Sequence, residues 1–94
     1  MIYGVYSIRD VKTGFMTPVI EVSDEAAARN FTHSVLSSDG ILRSFAVDFS
    51  LYRIGSFDAD SGRITPEDIP QLVCQGSSAV VFRGHDLGGD PDAD

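Results

Sequence analysis

Cys74 is the one cysteine in a chain of 94 residues, so no disulfide can close within it, and a reducing compartment suits it. No apolar run approaches the roughly 20 residues that cross a bilayer. The N-terminus also lacks a basic stretch followed by a long apolar one. A soluble, unsecreted protein without membrane contact is expected. Basic residues are scarce: seven Lys and Arg stand against fourteen Asp and Glu, for a net charge of −7. Four of those acids, Asp86, Asp90, Asp92 and Asp94, fall in the last nine residues, and the other 85 residues carry ten acids and seven bases. A mildly acidic body of this kind argues against strong, non-specific nucleic-acid binding by a single chain. There is no Gly-rich phosphate loop, nucleophile elbow or metal-binding helix motif, so neither an enzyme nor a cofactor is expected.

What is present is enough for a core. The chain is 43% hydrophobic, and one domain of this size buries about two thirds of the surface its unfolded chain exposes. Residues 1–83 are expected to form a single α+β domain and residues 84–94 an acidic, disordered tail. The most informative stretch is Asp48-Phe49-Ser50-Leu51-Tyr52-Arg53-Ile54-Gly55-Ser56-Phe57-Asp58 with the residues that follow it. It reads as a strand with Tyr52 and Ile54 facing one way and Leu51 and Phe57 the other. Residues 58–62 supply turn chemistry, with aspartates that can bond nearby amides and a glycine suited to positive φ. Arg63-Ile64-Thr65 reads as the returning strand, ended by Pro66.

The N-terminal part has the same form. Met1 to Arg9 is a strand with apolar residues on both faces, which suits a central position in a sheet. Asp10-Val11-Lys12-Thr13-Gly14 is a loop, and residues 15–22 return at an edge or with a bulge, because Pro18 cannot donate to a ladder. Residues 10–18 match residues 58–66 at Asp, Thr/Ser, Gly, Met/Ile, Thr and Pro, at a constant offset of 48. Shared turn chemistry accounts for this echo more simply than duplication with pseudo-twofold symmetry does. Ser23 can cap a helix over residues 23–36, with Asp24 and Glu25 at its positive end. Ala27, Ala28, Phe31, Ser34 and Val35 form its sheet-facing stripe, and Arg29 and His33 lie opposite. Residues 41–47 suit a packed loop or a short irregular element. A short helix near Pro70 and a last strand over residues 79–83 complete the expectation.

Few residues suggest chemistry. Asp58-Ala59-Asp60-Ser61-Gly62 resembles the start of a calcium-binding EF-hand loop, but the glycine comes one place early and Ile69 stands where a bidentate glutamate is needed. His33, His85 and Cys74 lie on three separate segments without zinc-type spacing. They read as a surface residue, a tail residue and a small hydrophobe. The remaining signal is aromatic residues interleaved with arginine on the strands: Tyr3, Tyr6, Arg9, Phe15, Tyr52, Arg53, Phe57 and Arg63. Exposed rings can stack bases while arginines hold phosphates. The core claims rings too, and at least half of the nine are assigned to it.

Phe15-Met16-Thr17-Pro18 followed by Ala28-Arg29-Asn30-Phe31 resembles the small non-structural protein of microviruses, single-stranded-DNA phages of the gokushovirus type. So do the acidic-aromatic pair Asp48-Phe49, the Leu51-Tyr52 step, Gly55-Ser56-Phe57-Asp58 and Gly62-Arg63-Ile64. The resemblance covers about residues 1–70. Residues 39–47 lack the His-Pro-Glu step often found before the acidic-aromatic pair in that family. It implies a phage accessory protein of the bacterial host cytoplasm, acting in single-stranded DNA synthesis or packaging, and it offers no catalytic residues.

The combined expectation is an α+β fold, with two antiparallel hairpins in one sheet and a helix packed on one face. Arg9, Tyr52, Arg53, Phe57 and Arg63 are its candidate nucleic-acid contacts. Its partners are single-stranded DNA or viral replication and packaging proteins, met as a homo-oligomer because an acidic chain must pool its weak basic strips. The alternative is a protein-interaction or capsid-associated module that does not touch DNA.

Overall fold

A computed structural model describes residues 1–37 and 40–78. The strand expected over residues 79–83 and the tail over 84–94 lie outside these. In chain order the elements are β1 (Ile2–Asp10), β2 (Gly14–Phe15), β3 (Val19–Glu21), α1 (Asp24–Ser37), α2 (Ile41–Ser44), a 3-10 turn (Ala46–Asp48), β4 (Phe49–Asp58) and β5 (Ile64–Gln75). The strands form one antiparallel sheet in the order β2-β1-β4-β5, and β3 lies beside β2 on the same edge of β1. The fold is α+β, built from two hairpins as the sequence predicts.

Each hairpin closes through the chemistry its loop residues encode. The Asp10 carboxylate accepts the Lys12 amide at 2.9 Å and the Thr13 hydroxyl at 3.1 Å, while Asp58 accepts the Asp60 amide at 2.9 Å. Gly14 and Gly62 take φ of 98° and 78°, a region that costs any residue with a Cβ. The central strands pair almost symmetrically. Ile2 lies opposite Asp58 at one end and Asp10 opposite Phe49 at the other, a single residue short of Ser50, where the offset of 48 would put it. The slip occurs between Val5 and Tyr6, where β4 carries Ile54 as an extra residue. The echo between the hairpins thus extends to a near-twofold sheet. It stops there, because the positions equivalent to the start of α1 belong to β5.

Two expectations about proline are corrected. Pro66 does not end its strand, and residues 70–75 are not helical; β5 runs through both prolines to Gln75. The Asp58 amide donates to the Arg63 carbonyl at 2.8 Å. Antiparallel alternation then makes Gly55 and Pro66, which face each other, a non-hydrogen-bonded pair. The amide that proline lacks would have pointed outward, away from β4, so the ladder loses nothing. Pro70 lies in a bulge: residues 67–70 of β5 stand against Ile54 alone. Pro18 behaves as expected and interrupts its edge between β2 and β3.

The helix begins where its cap dictates. The Ser23 hydroxyl accepts the Ala26 amide at 3.1 Å, and the Ser23 carbonyl accepts the Ala27 amide at 3.0 Å. Ala27, Phe31 and Val35 are buried against Tyr6, Phe49 and Leu51, with Ala46 closing the core. Ala28 is half-buried and Ser34 is exposed, so the stripe is narrower than expected, and Arg29 and His33 face solvent. Tyr6 reaches the helix because its ring lies over Gly4, where any Cβ would strike it. Its hydroxyl donates to the Asp24 carboxylate at 2.5 Å. One narrow helix covers one face, and that has a consequence for the rings. Of the eight aromatic residues described, only Tyr6, Phe31 and Phe49 are buried, fewer than the half assigned to the core.

Candidate nucleic-acid interface

Strand alternation divides the sheet. Tyr6, Ile8 and Leu51 face α1, and with them goes Arg53, which is paired directly with Tyr6 in the ladder. The Arg53 guanidinium is fully engaged on that side. It meets Asp24 at 3.3 Å, Glu67 at 3.4 Å and the Ser56 hydroxyl at 3.1 Å, and it stands 5.9 Å from the centre of the Tyr6 ring. The bulge of β5 is what carries Glu67 back to it. This network ties the start of the helix to both central strands and to β5.

The opposite face carries Tyr3, Val5, Ser7 and Arg9 from β1, Tyr52 and Phe57 from β4, and Phe15, Ile20, Ile64 and Leu72 from the flanking strands. No helix among the described residues covers it. The Phe15 and Tyr52 rings meet edge to face with centres 5.6 Å apart, and Arg9 lies opposite Phe15 in the ladder. Ser7, beneath them, is buried, and its hydroxyl donates to the Met16 carbonyl at 2.6 Å. Arg9 is exposed, and among the described residues its side chain makes no ion pair. Roughly 13 Å along the strands, at about 3.3 Å per residue, Tyr3 and Phe57 form a second, half-buried pair of rings.

Of the five candidate contacts, three therefore share the open face: Arg9, Tyr52 and Phe57. Arg63 is exposed beside the second hairpin loop, and the alternation from Ile64 turns it away from Phe57. Arg53 lies on the helix side, held by carboxylates. Phe15 completes the ring pair with Tyr52, and its place opposite Arg9 could have been read from the turn length alone. The grouping of Arg53 with Asp24 and Glu67 could not, because it depends on the helix crossing and on the bulge.

The other candidate chemistry has its own geometry. His33 and Cys74 line one apolar cleft of about 510 Å³ between α1 and the end of β5, together with Arg29, Thr32 and Leu36. Burial pushes the Cys74 thiol up from its ordinary value, which disfavours the thiolate, and among the described residues no carboxylate lines the cleft. In the second hairpin loop, backbone and side-chain hydrogen bonds hold Asp58 below the usual carboxylate range, the Asp60 amide contributing most. Among the described residues no three His, Cys, Asp or Glu side chains gather closely enough to hold a metal ion, and no helix is long and apolar enough to cross a membrane.

Residues 3–79 match the family model described as Phage ORF5 protein. No curated protein and no solved structure matches the chain.

Proposed function

The chain belongs to the Phage ORF5 protein family, and from that premise we propose that it is a non-enzymatic accessory protein of a single-stranded-DNA phage. It acts in the cytoplasm of the bacterial host, in viral DNA synthesis or packaging, by binding single-stranded DNA as an oligomer. The observation that carries the reading is the sheet face that no helix among the described residues covers, where the Phe15–Tyr52 ring pair stands beside Arg9, which makes no ion pair with the described residues. Rings fixed on a sheet accept any base by stacking, and an adjacent guanidinium neutralises the phosphate between bases. The resemblance to microvirus non-structural proteins supports the choice of a single-stranded genome. The acidic balance of the chain is the reason for the oligomer, since one Arg9 on one face is too little to hold a polyanion.

Titrating a fluorescent oligothymidylate with the full chain over a range of salt concentrations tests this. Arg9→Ala should weaken binding and reduce the salt slope by about 1. Tyr52→Ala should cost about 1–3 kcal/mol of affinity. No binding at low salt, with the oligomer intact, rejects DNA contact. That result would favour a protein-interaction or capsid-associated module, for which the exposed Ile20, Ile64 and Leu72 on the same face are the supporting observation.

A further inference from the structure

A second apolar surface lies away from the open sheet face, at the end of the sheet where the first hairpin meets α2 and the 3-10 turn. The Val11 amide donates to the Asp48 carbonyl at 3.0 Å, which pins the hairpin tip against the turn. The Phe45 amide donates to the Ile41 carbonyl at 2.9 Å, which closes the α2 turn beside it. Four large side chains are left facing water at this junction: Val11 is 54% exposed, Ile41 61%, Phe45 56% and Val47 75%. Single exposed hydrophobes are ordinary, but four on adjoining turns, two of them lining a cleft, are not. The cleft itself, about 250 Å³, is lined by Ile41, Phe45 and Phe49 and by Asp10, Lys12 and Asp48.

We propose that this junction is the interface between two copies of the chain, packed about a twofold axis with Val47 of each copy entering the cleft of the other. The charges select a second copy over an unrelated partner. Lys12 and Asp48 stand on the rim of one cleft, and among the described residues neither makes an ion pair. In an isologous contact each surface meets itself, so Lys12 of one copy can meet Asp48 of the other, while Asp10, the second carboxylate of the cleft, stays bonded to the Lys12 amide and the Thr13 hydroxyl of its own loop. The arrangement also deepens the proposed function, because it supplies the oligomer on which that reading relies. Arg9 lies three residues before Lys12, so the pairing brings the Arg9 ends of the two sheets toward each other.

Sedimentation of the full chain, without DNA, tests the interface independently of any DNA binding. The wild type should be a dimer, and Val47→Asp should weaken self-association by more than about tenfold while leaving the circular dichroism spectrum unchanged. Lys12→Asp should weaken it too, and the double variant Lys12→Asp with Asp48→Lys should restore it. That recovery is expected only if the two positions meet across the axis. A wild type that stays monomeric, a Val47→Asp protein that still pairs normally, or a charge swap without rescue overturns the interface. A dimer that behaves as described but binds no oligonucleotide would leave the interface standing and remove the DNA reading.

Discussion

Tyr6 owes its place to its neighbour but one. Its ring occupies the space above Gly4, and from there its hydroxyl reaches Asp24 at the start of α1. Gly4→Ala forces the ring to shift within a packed core and should destabilise the protein by about 1–3 kcal/mol, read as a lowered urea midpoint. The same placement makes stability sensitive to alkali. Burial, reinforced by the hydrogen bond to Asp24, pushes the Tyr6 phenol from an ordinary 10.0 up to about 12. A folded-state value above the unfolded one means that the unfolded chain ionises first. The Tyr6 contribution is therefore complete below about pH 10 and is lost as pH rises toward 12. Urea unfolding across that window should show the decline in the wild type and a flatter profile in Tyr6→Phe.

At the scale of the element, α1 depends on its first turn. Ser23→Ala removes the acceptor for the Ala26 amide and should cost about 1 kcal/mol, measurable by the same unfolding experiment. This helix was legible in the sequence because its signals are local: a serine, two acids in the first turn, and buried residues at helical spacing. The hairpin loops were legible for the same reason, since an aspartate and a glycine four positions apart specify the turn between them. β5 was not. Whether a proline ends a strand depends on which way its missing amide would point, and that is settled by the register against β4 rather than by the residues beside Pro66. The bulge at residues 67–70 was hidden likewise, and with it the partner of Arg53.

For the whole molecule, two arginines of similar sequence context lie on opposite faces of the sheet, Arg53 on the side of α1 and Arg9 on the side that no helix among the described residues covers. Arg53 joins Asp24, Glu67 and Ser56 across three elements. Arg53→Ala should lower stability by about 1 kcal/mol, since the pairs are partly solvated, and leave the salt slope of oligonucleotide binding unchanged. Arg9→Ala should do the reverse, with an unchanged urea midpoint. Measuring both quantities on both variants separates the fastening side of the sheet from the proposed contact side. If Arg53→Ala alone flattened the salt slope, the division of labour between the faces would be wrong.

The prolines at the rims set a limit on how this protein can assemble. Fibrils grow when a rim offers an unbroken row of amide donors on which the next chain can be copied. Here one rim is cut at Pro18, and the other has a missing donor at Pro66 and buckles over residues 67–70. Among the described residues, neither rim offers an unbroken row of amide donors along its length. Two copies meeting rim to rim through the described strands would find no continuous ladder there, so side-chain contact is the route left to any closed complex.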